Sequence, residues 1–179
     1  MGSDLVLRAR AGDGDAFDLL AARSIDRLYA VARRILGGQE WAEDAVQEAL
    51  LLAWRDLPQL REPDAWEGWL MRLLVRCCYR EARRHRAQAT VSLAPEHEHA
   101  SGDDPTSVVE RDEIDRAFRR LSVDHRAVLV MTHYLGLSGP QIAAALDVAP
   151  GTVKSRLHHA TRALRAALEA DARPKASSP

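Results

Sequence analysis

Pro150-Gly151-Thr152-Val153-Lys154-Ser155-Arg156 follows a short apolar helical run by one tight turn, and its reading decides how the second half of the chain folds. Proline suits the first position of a helix, where its fixed φ is already helical and its missing N–H has no partner to lose. Upstream, Ser138 with Gln141 three residues on has the pattern of a capping box. Ile142 and Leu146 then supply an apolar stripe onto which Val153 and Leu157 can pack. A turn this short forces a steep crossing, which is the geometry of a helix-turn-helix. Thr152, Lys154, Ser155, Arg156 and His159 are left facing outward. Lysine and arginine meet phosphates, arginine also pairs bidentately with guanine, and such a helix fits a DNA major groove. A plain helical hairpin with a basic face is the bland alternative, but cap, turn, core spacing and outward charge all agree on the sharper one.

Working outward, the chain reads as helix almost throughout. The expected fold is all-α, two small helical domains joined by a flexible acidic linker, with the helix-turn-helix in the second. Aromatic residues make up 5% of the sequence and strand-type alternation is absent. A first helical block starts near Asp15, carries Phe17, Leu20, Ile25, Leu28, Val31 and Ile35, is broken near Ser24, and ends at Gly37-Gly38. A second helix spans about 39–56, with Ala42, Val46, Ala49, Leu50 and Ala53 on one face and Glu40, Asp44 and Glu48 on another. A third opens at Pro63 and carries Trp66, Trp69, Leu70, Leu73, Leu74 and Cys77 before turning basic. From about 88 to 109 periodicity is lost and Gly, Pro, Ser and acidic residues take over, as in a linker. Four short helices follow within 110–170. The first carries Ile114, Ala117, Phe118 and Leu121, and the second carries Val123, Ala127, Val130, Met131 and Tyr134. Residues 171–179 read as a disordered tail. The expected domains are therefore 1–87 and 110–170.

Charge is segregated beneath a formal net charge of −1. From Arg72 to Arg86 there are six arginines against one acid, Glu81, whereas Glu96 to Asp115 holds eight acids and one arginine. Two basic patches suggest a polyanion partner, with acidic surface for another one. The arginines of the third helix can track a nucleic-acid backbone or form a solvated helix end. Its tryptophans can stack on unpaired bases, but their place in the apolar stripe makes them mostly core.

The acids on the second helix lack a histidine at ligand spacing, so a docking face is the better reading and no metal is expected. His97 and His99 lack a third fixed ligand. No nucleophile–base pattern or Gly-rich phosphate loop is present, so neither catalysis nor a cofactor is expected. Adjacent Cys77 and Cys78 point in different directions on a helix, lie on or beside the core stripe, and suit a reduced, cytoplasmic protein more than a disulfide or a redox sensor. No segment resembles a signal peptide, and no apolar run approaches a membrane span.

Taken together, these motifs resemble those of bacterial RNA polymerase sigma factors of the sigma-70 family, in the small two-domain extracytoplasmic-function group. Trp41-Ala42-Glu43-Asp44-Ala45-Val46-Gln47-Glu48 with Leu52-Ala53-Trp54 resembles the helix that docks on the polymerase clamp. Trp66-Glu67-Gly68-Trp69-Leu70 through Arg83-Arg84 resembles the helix that reads and melts the −10 promoter element, and Gly151 to Leu157 resembles the −35 recognition helix. The resemblance implies core RNA polymerase and promoter DNA as partners, with an anti-sigma factor as a family expectation. It assigns polymerase binding to Glu40, Asp44, Gln47 and Glu48, −10 binding to Arg72, Arg76, Arg80, Arg83 and Arg84, and −35 binding to the outward residues of the helix-turn-helix. It also makes the loop from Leu57 to Asp64 the place where an unpaired base is trapped, by the logic of base flipping. The acidic linker would run near the RNA exit path. Members commonly carry Asn and Asp where Arg76 and Arg80 stand, glycine at Asp147 and a side-chain cap at Ala149. The competing class is an autonomous helix-turn-helix regulator whose first half senses a ligand or dimerises.

Overall fold

A computed structural model describes residues 2–91 and 109–172. All of their regular structure is helical, in the order α1 (Gly2–Arg10), α2 (Gly14–Leu36), α3 (Gln39–Asp56), α4 (Trp66–Val91), α5 (Val109–Arg119), α6 (Val123–Leu129), α7 (Gly139–Leu146) and α8 (Pro150–Ala172). The chain divides into two compact units, Met1–His99 and Ala100–Pro179. Most of the expected linker, with His97 and His99, and the tail from 173 onward lie outside the described residues. Among those described, no helix is long and apolar enough to cross a membrane.

In the first unit α3 packs between α2 and α4. Its small residues Ala42, Ala45, Ala49 and Ala53 are fully buried, which lets the neighbouring helices come close. Leu28, Val31 and Ile35 of α2 and Leu70, Leu74 and Val75 of α4 fill the same core. Asp13 caps α2 by accepting the Ala16 N–H at 3.0 Å. Gly37 closes the helix in the left-handed region, φ 80°, donating its N–H to the Arg33 carbonyl. The expected break at Ser24 does not occur, because its hydroxyl bonds back to the Leu20 carbonyl at 3.1 Å and leaves the helix intact. The periodicity reading missed α1, a nine-residue helix that buries Leu5, Val6 and Ala9 against the rest of the unit. Pro63 opens a single 3-10 turn and the α-helix proper begins at Trp66. At its other end α4 continues to Val91, past the expected start of the linker at 88.

In the second unit α8 packs on α5, α6 and α7. Gln141 Oε1 accepts both the N–H and the hydroxyl of Ser138 at 2.8 Å, holding the start of α7. Asp147 ends α7 in the left-handed conformation, φ 53°, as the tolerance of Asp for that region allows. Ala149 has no side-chain oxygen, and the first turn of α8 is closed by the Thr152 N–H on the Ala149 carbonyl at 2.9 Å. Ile142, Leu146 and Val153 are buried as expected, while Leu157 is half-buried. After Leu129 the helix widens into a π-turn through Tyr134, closed by the Leu135 N–H on the Val130 carbonyl at 3.0 Å. That extra residue per turn rotates Tyr134 out of the core, so it is exposed rather than buried as its spacing suggested. Ile114, counted in the α5 stripe, is exposed too. The last of the four expected short helices is long, at 23 residues.

Candidate functional site

The outer surface of α8 is a basic stripe. Lys154, Ser155 and His159 are exposed, while Thr152 and Arg156 are half-buried at its edges. Ser155 turns its hydroxyl to the Thr152 carbonyl at 3.0 Å, which leaves its oxygen as an acceptor for a ligand. The stripe continues through His158, Arg162 and Arg165, all exposed. With Lys154 these lie at i, i+4, i+8 and i+11, along about 16 Å of helix. His158 was missed in the sequence, although its four-residue spacing from Lys154 marks it. Its ring meets that of His159 edge-on at 5.6 Å. The far end of α8 is tied down by an ion pair from Arg120 to Asp171 at 2.6 Å.

The face of α3 differs from its sequence reading. Glu40, Asp44 and Gln47 are exposed, but Glu48 turns toward α4 and meets Arg80 at 2.8 Å. Gln47 sits on the rim of an open groove between α2 and α3, lined by Phe17, Asp18, Leu50, Leu51 and Trp54. Leu51 is 65% exposed and Trp54 43%. Trp54 is held from below by Phe17, whose ring it meets edge-on at 5.0 Å, and Phe17 in turn touches Trp66 at 6.1 Å. Leu51 and Trp54 are thus large apolar groups left open beside Asp18, with Phe17 supporting Trp54 from beneath.

The arginines of α4 are not equivalent. Arg80 donates to the Cys77 sulfur at 3.5 Å as well as pairing with Glu48, so its head is folded onto the α3–α4 seam. Arg84 pairs at 2.9 Å with the buried carboxylate of Glu81, which also takes His85 at 3.0 Å, and Trp41 stacks on that imidazole at 4.3 Å. Arg72 is half-buried and its guanidinium runs back over Gly68, where a Cβ would stand 3.6 Å from Nη1. Arg76, Arg80, Arg83 and Arg84 are all exposed, so the ion pairs of Arg80 and Arg84 leave part of each side chain in solvent. Of the tryptophans, Trp66 is core and Trp69 is half-buried beside it at 5.8 Å. Cys77 and Cys78 are buried free thiols. Burial pushes Cys77 up to about 11, helped by the Glu48 charge, and burial drives Cys78 higher still. Both therefore stay protonated and unreactive near neutrality. Among the described residues no cluster of histidine, cysteine, aspartate and glutamate is arranged to hold a metal.

Comparison with known proteins places both halves. The family model for Sigma-70 region 2 matches residues 20–88, and that for Sigma-70 region 4 matches residues 111–164. The ECF RNA polymerase sigma factor SigL of Mycobacterium tuberculosis is 37% identical over 147 residues, covering 79% of this chain and 82% of the relative. The chain belongs to the sigma-70 family, in its extracytoplasmic-function group. The RNA polymerase sigma-H factor of Pseudomonas aeruginosa is 30% identical over 178 residues, 92% of each chain. Among solved structures, the sigma factor RpoE of Bartonella quintana, crystallised with the anti-sigma factor NepR, matches with TM-score 0.64 at 25% identity, over 87% of this chain and 98% of that one. CnrH in complex with the cytosolic domain of CnrY matches with TM-score 0.62 at 27% identity, over 96% and 99%. Core RNA polymerase and promoter DNA are accordingly the partners of this sigma factor, and the autonomous-regulator alternative falls away.

Proposed function

We propose that the factor divides promoter recognition between its two units as follows. The first turns of α8 enter the major groove of the −35 element, with Lys154, Ser155, Arg156 and His158 near base edges and Thr152, His159, Arg162 and Arg165 on the backbone. Arg72, Arg76 and Arg83 of α4 follow the −10 strands, and the segment 57–64 receives a base flipped out of the stack. Arg80 and Arg84 contribute mainly through their ion pairs with Glu48 and Glu81.

The polymerase clamp docks on α3 through Glu40, Asp44 and Gln47 and through the apolar groove of Leu51 and Trp54. That exposed apolar groove beside Asp18 and Gln47, on the helix next to the arginine face, is the observation that carries the reading. A docking surface and a nucleic-acid surface on one unit fit a protein that brings polymerase to DNA. The factor supplies no catalytic group and acts in the cytoplasm beside the polymerase. The crystallised complex of the Bartonella relative supports an anti-sigma partner here as well.

The test is transcription in vitro with purified core polymerase on fragments of the source genome. Initiation at a discrete set of promoters that depends on the factor is the expected result. Tight binding of free factor to DNA without any initiation would refute the reading.

A further inference from the structure

We propose that α1 is a positioning element for strand opening, in which Ser3 and Arg10 hold the segment between Leu57 and Asp64 in the shape that captures the unpaired base. The inference rests on the assignment of that segment to base capture. Helix α1 lies outside the residues matched by the region 2 family model, which begins at 20.

The segment is weakly organised by its own backbone. Two single 3-10 turns, Leu57–Gln59 and Pro63–Ala65, are closed by the Leu60 N–H on the Leu57 carbonyl and the Ala65 N–H on the Glu62 carbonyl, each at 3.0 Å. Between them Leu60 and Glu62 have extended backbone, with ψ near 105° and 109°. Helix α1 packs along both turns. At its start the Ser3 hydroxyl donates to the Asp64 carboxylate, and at its end the Arg10 guanidinium reaches the Arg61 carbonyl at 3.5 Å. Seven residues of helix, about 10 Å, separate the two donors, so they grip both ends of the 61–64 stretch. Helix α1 is itself fixed to α2, because Arg8 bonds through Nε at 2.9 Å and Nη2 at 2.7 Å to the same Asp13 that caps α2. Leu57 and Leu60 are buried beneath the segment, so its backbone cannot drift inward. What remains adjustable is the exposed rim at Arg61, Glu62 and Asp64, and the two α1 donors set it. A segment that must accept a flipped base within hydrogen-bonding tolerance loses capture when it is free to sample other shapes.

The experiment uses holoenzyme assembled with full-length factor and a promoter that it transcribes, carrying 2-aminopurine at the flipped position of the −10 element. Three measurements are made on the same proteins: core-polymerase affinity, the rate of the fluorescence rise on duplex promoter, and the rate on the same promoter with a pre-opened mismatched bubble. Ser3→Ala combined with Arg10→Ala, two donors lost at about fivefold or less each, is expected to slow the rise roughly tenfold on duplex DNA with core affinity unchanged. Arg10→Lys and Ser3→Thr, which keep a donor, restore most of the rate. The bubble template, which removes unpairing but still requires capture, shows at least as large a loss. A rate within twofold of the parent protein for the double variant, with its melting temperature intact, overturns the proposal. Replacing Arg61-Glu62 by Gly-Gly separates the two levels. If that replacement leaves opening unchanged, the assignment of the segment itself is wrong; if it slows opening while the α1 variants do not, only the role of α1 is wrong.

Discussion

Replacing Leu51 by alanine tests the docking groove directly. Leu51 lines the groove between α2 and α3 and is 65% exposed in the free protein. Full burial of a leucine side chain is worth about 1.5–3 kcal/mol, so covering the exposed two thirds against the clamp contributes about 1–2 kcal/mol. Truncation should then raise Kd for core polymerase about five- to thirtyfold. Because the side chain is already largely in water, the fold should lose no more than about 0.5 kcal/mol. The assay is an anisotropy titration of fluorescently labelled factor with core enzyme, paired with a thermal melt. Leu7→Ala is the control, since Leu7 is 52% exposed but sits on α1, away from the groove lining. A Kd for Leu51→Ala within twofold of the parent, or an equal loss for Leu7→Ala, would refute the assignment of the groove.

Three further outcomes follow from the same geometry. Arg156→Ala should weaken promoter binding by holoenzyme in a sequence-dependent way, by about 1–3 kcal/mol on the cognate −35 element and far less on scrambled DNA; equal losses on all sequences would remove it from base reading. Arg83→Ala should reduce the salt slope of promoter binding by about one, and Arg80→Ala by less, because Arg80 already spends its charge on Glu48. Equal slopes for the two would show that the Arg80 pair opens on DNA. Asp13 is held below the usual Asp range by the Ala16 N–H first and by Arg8 second, so its stabilising effect is present above the ordinary Asp value and is lost as pH falls through its lower folded value. Acid melting curves of Asp13→Asn, which keeps a cap but not the pair, should therefore lose less on acidification than those of the parent; identical acid limbs would show that the carboxylate charge is not used.

The features legible in the sequence are those made by residues near one another along the chain. Gly37, Asp147, Ser138 with Gln141, and Pro150 each act within one turn, so caps and turn could be placed from their side chains alone. The outward basic face of α8 follows from the same local period once Val153 is buried. The misreadings begin where a local signal meets a local escape: Ser24 bonds its own helix instead of breaking it, and the π-turn shifts Tyr134 out of register. Helix α1 was missed because nine residues offer too few turns for a periodic stripe to stand out, and only its neighbours make it a helix.

Sequence alone determined the all-helical class, the helix-turn-helix and the family, because these depend on spacings of three and four residues and on charge runs that survive any packing. Tertiary structure decided which of the charged residues are available. Glu48 and Arg80, assigned to different partners, are joined across α3 and α4, and Arg84 is drawn onto a buried Glu81. It also decided that Trp54 and Leu51 stand open beside Asp18, and that Ser3 reaches Asp64 across 61 positions. Helical periodicity says which side chains share a face. What that face meets depends on neighbours brought from elsewhere in the chain, and only the packed bundle settles it.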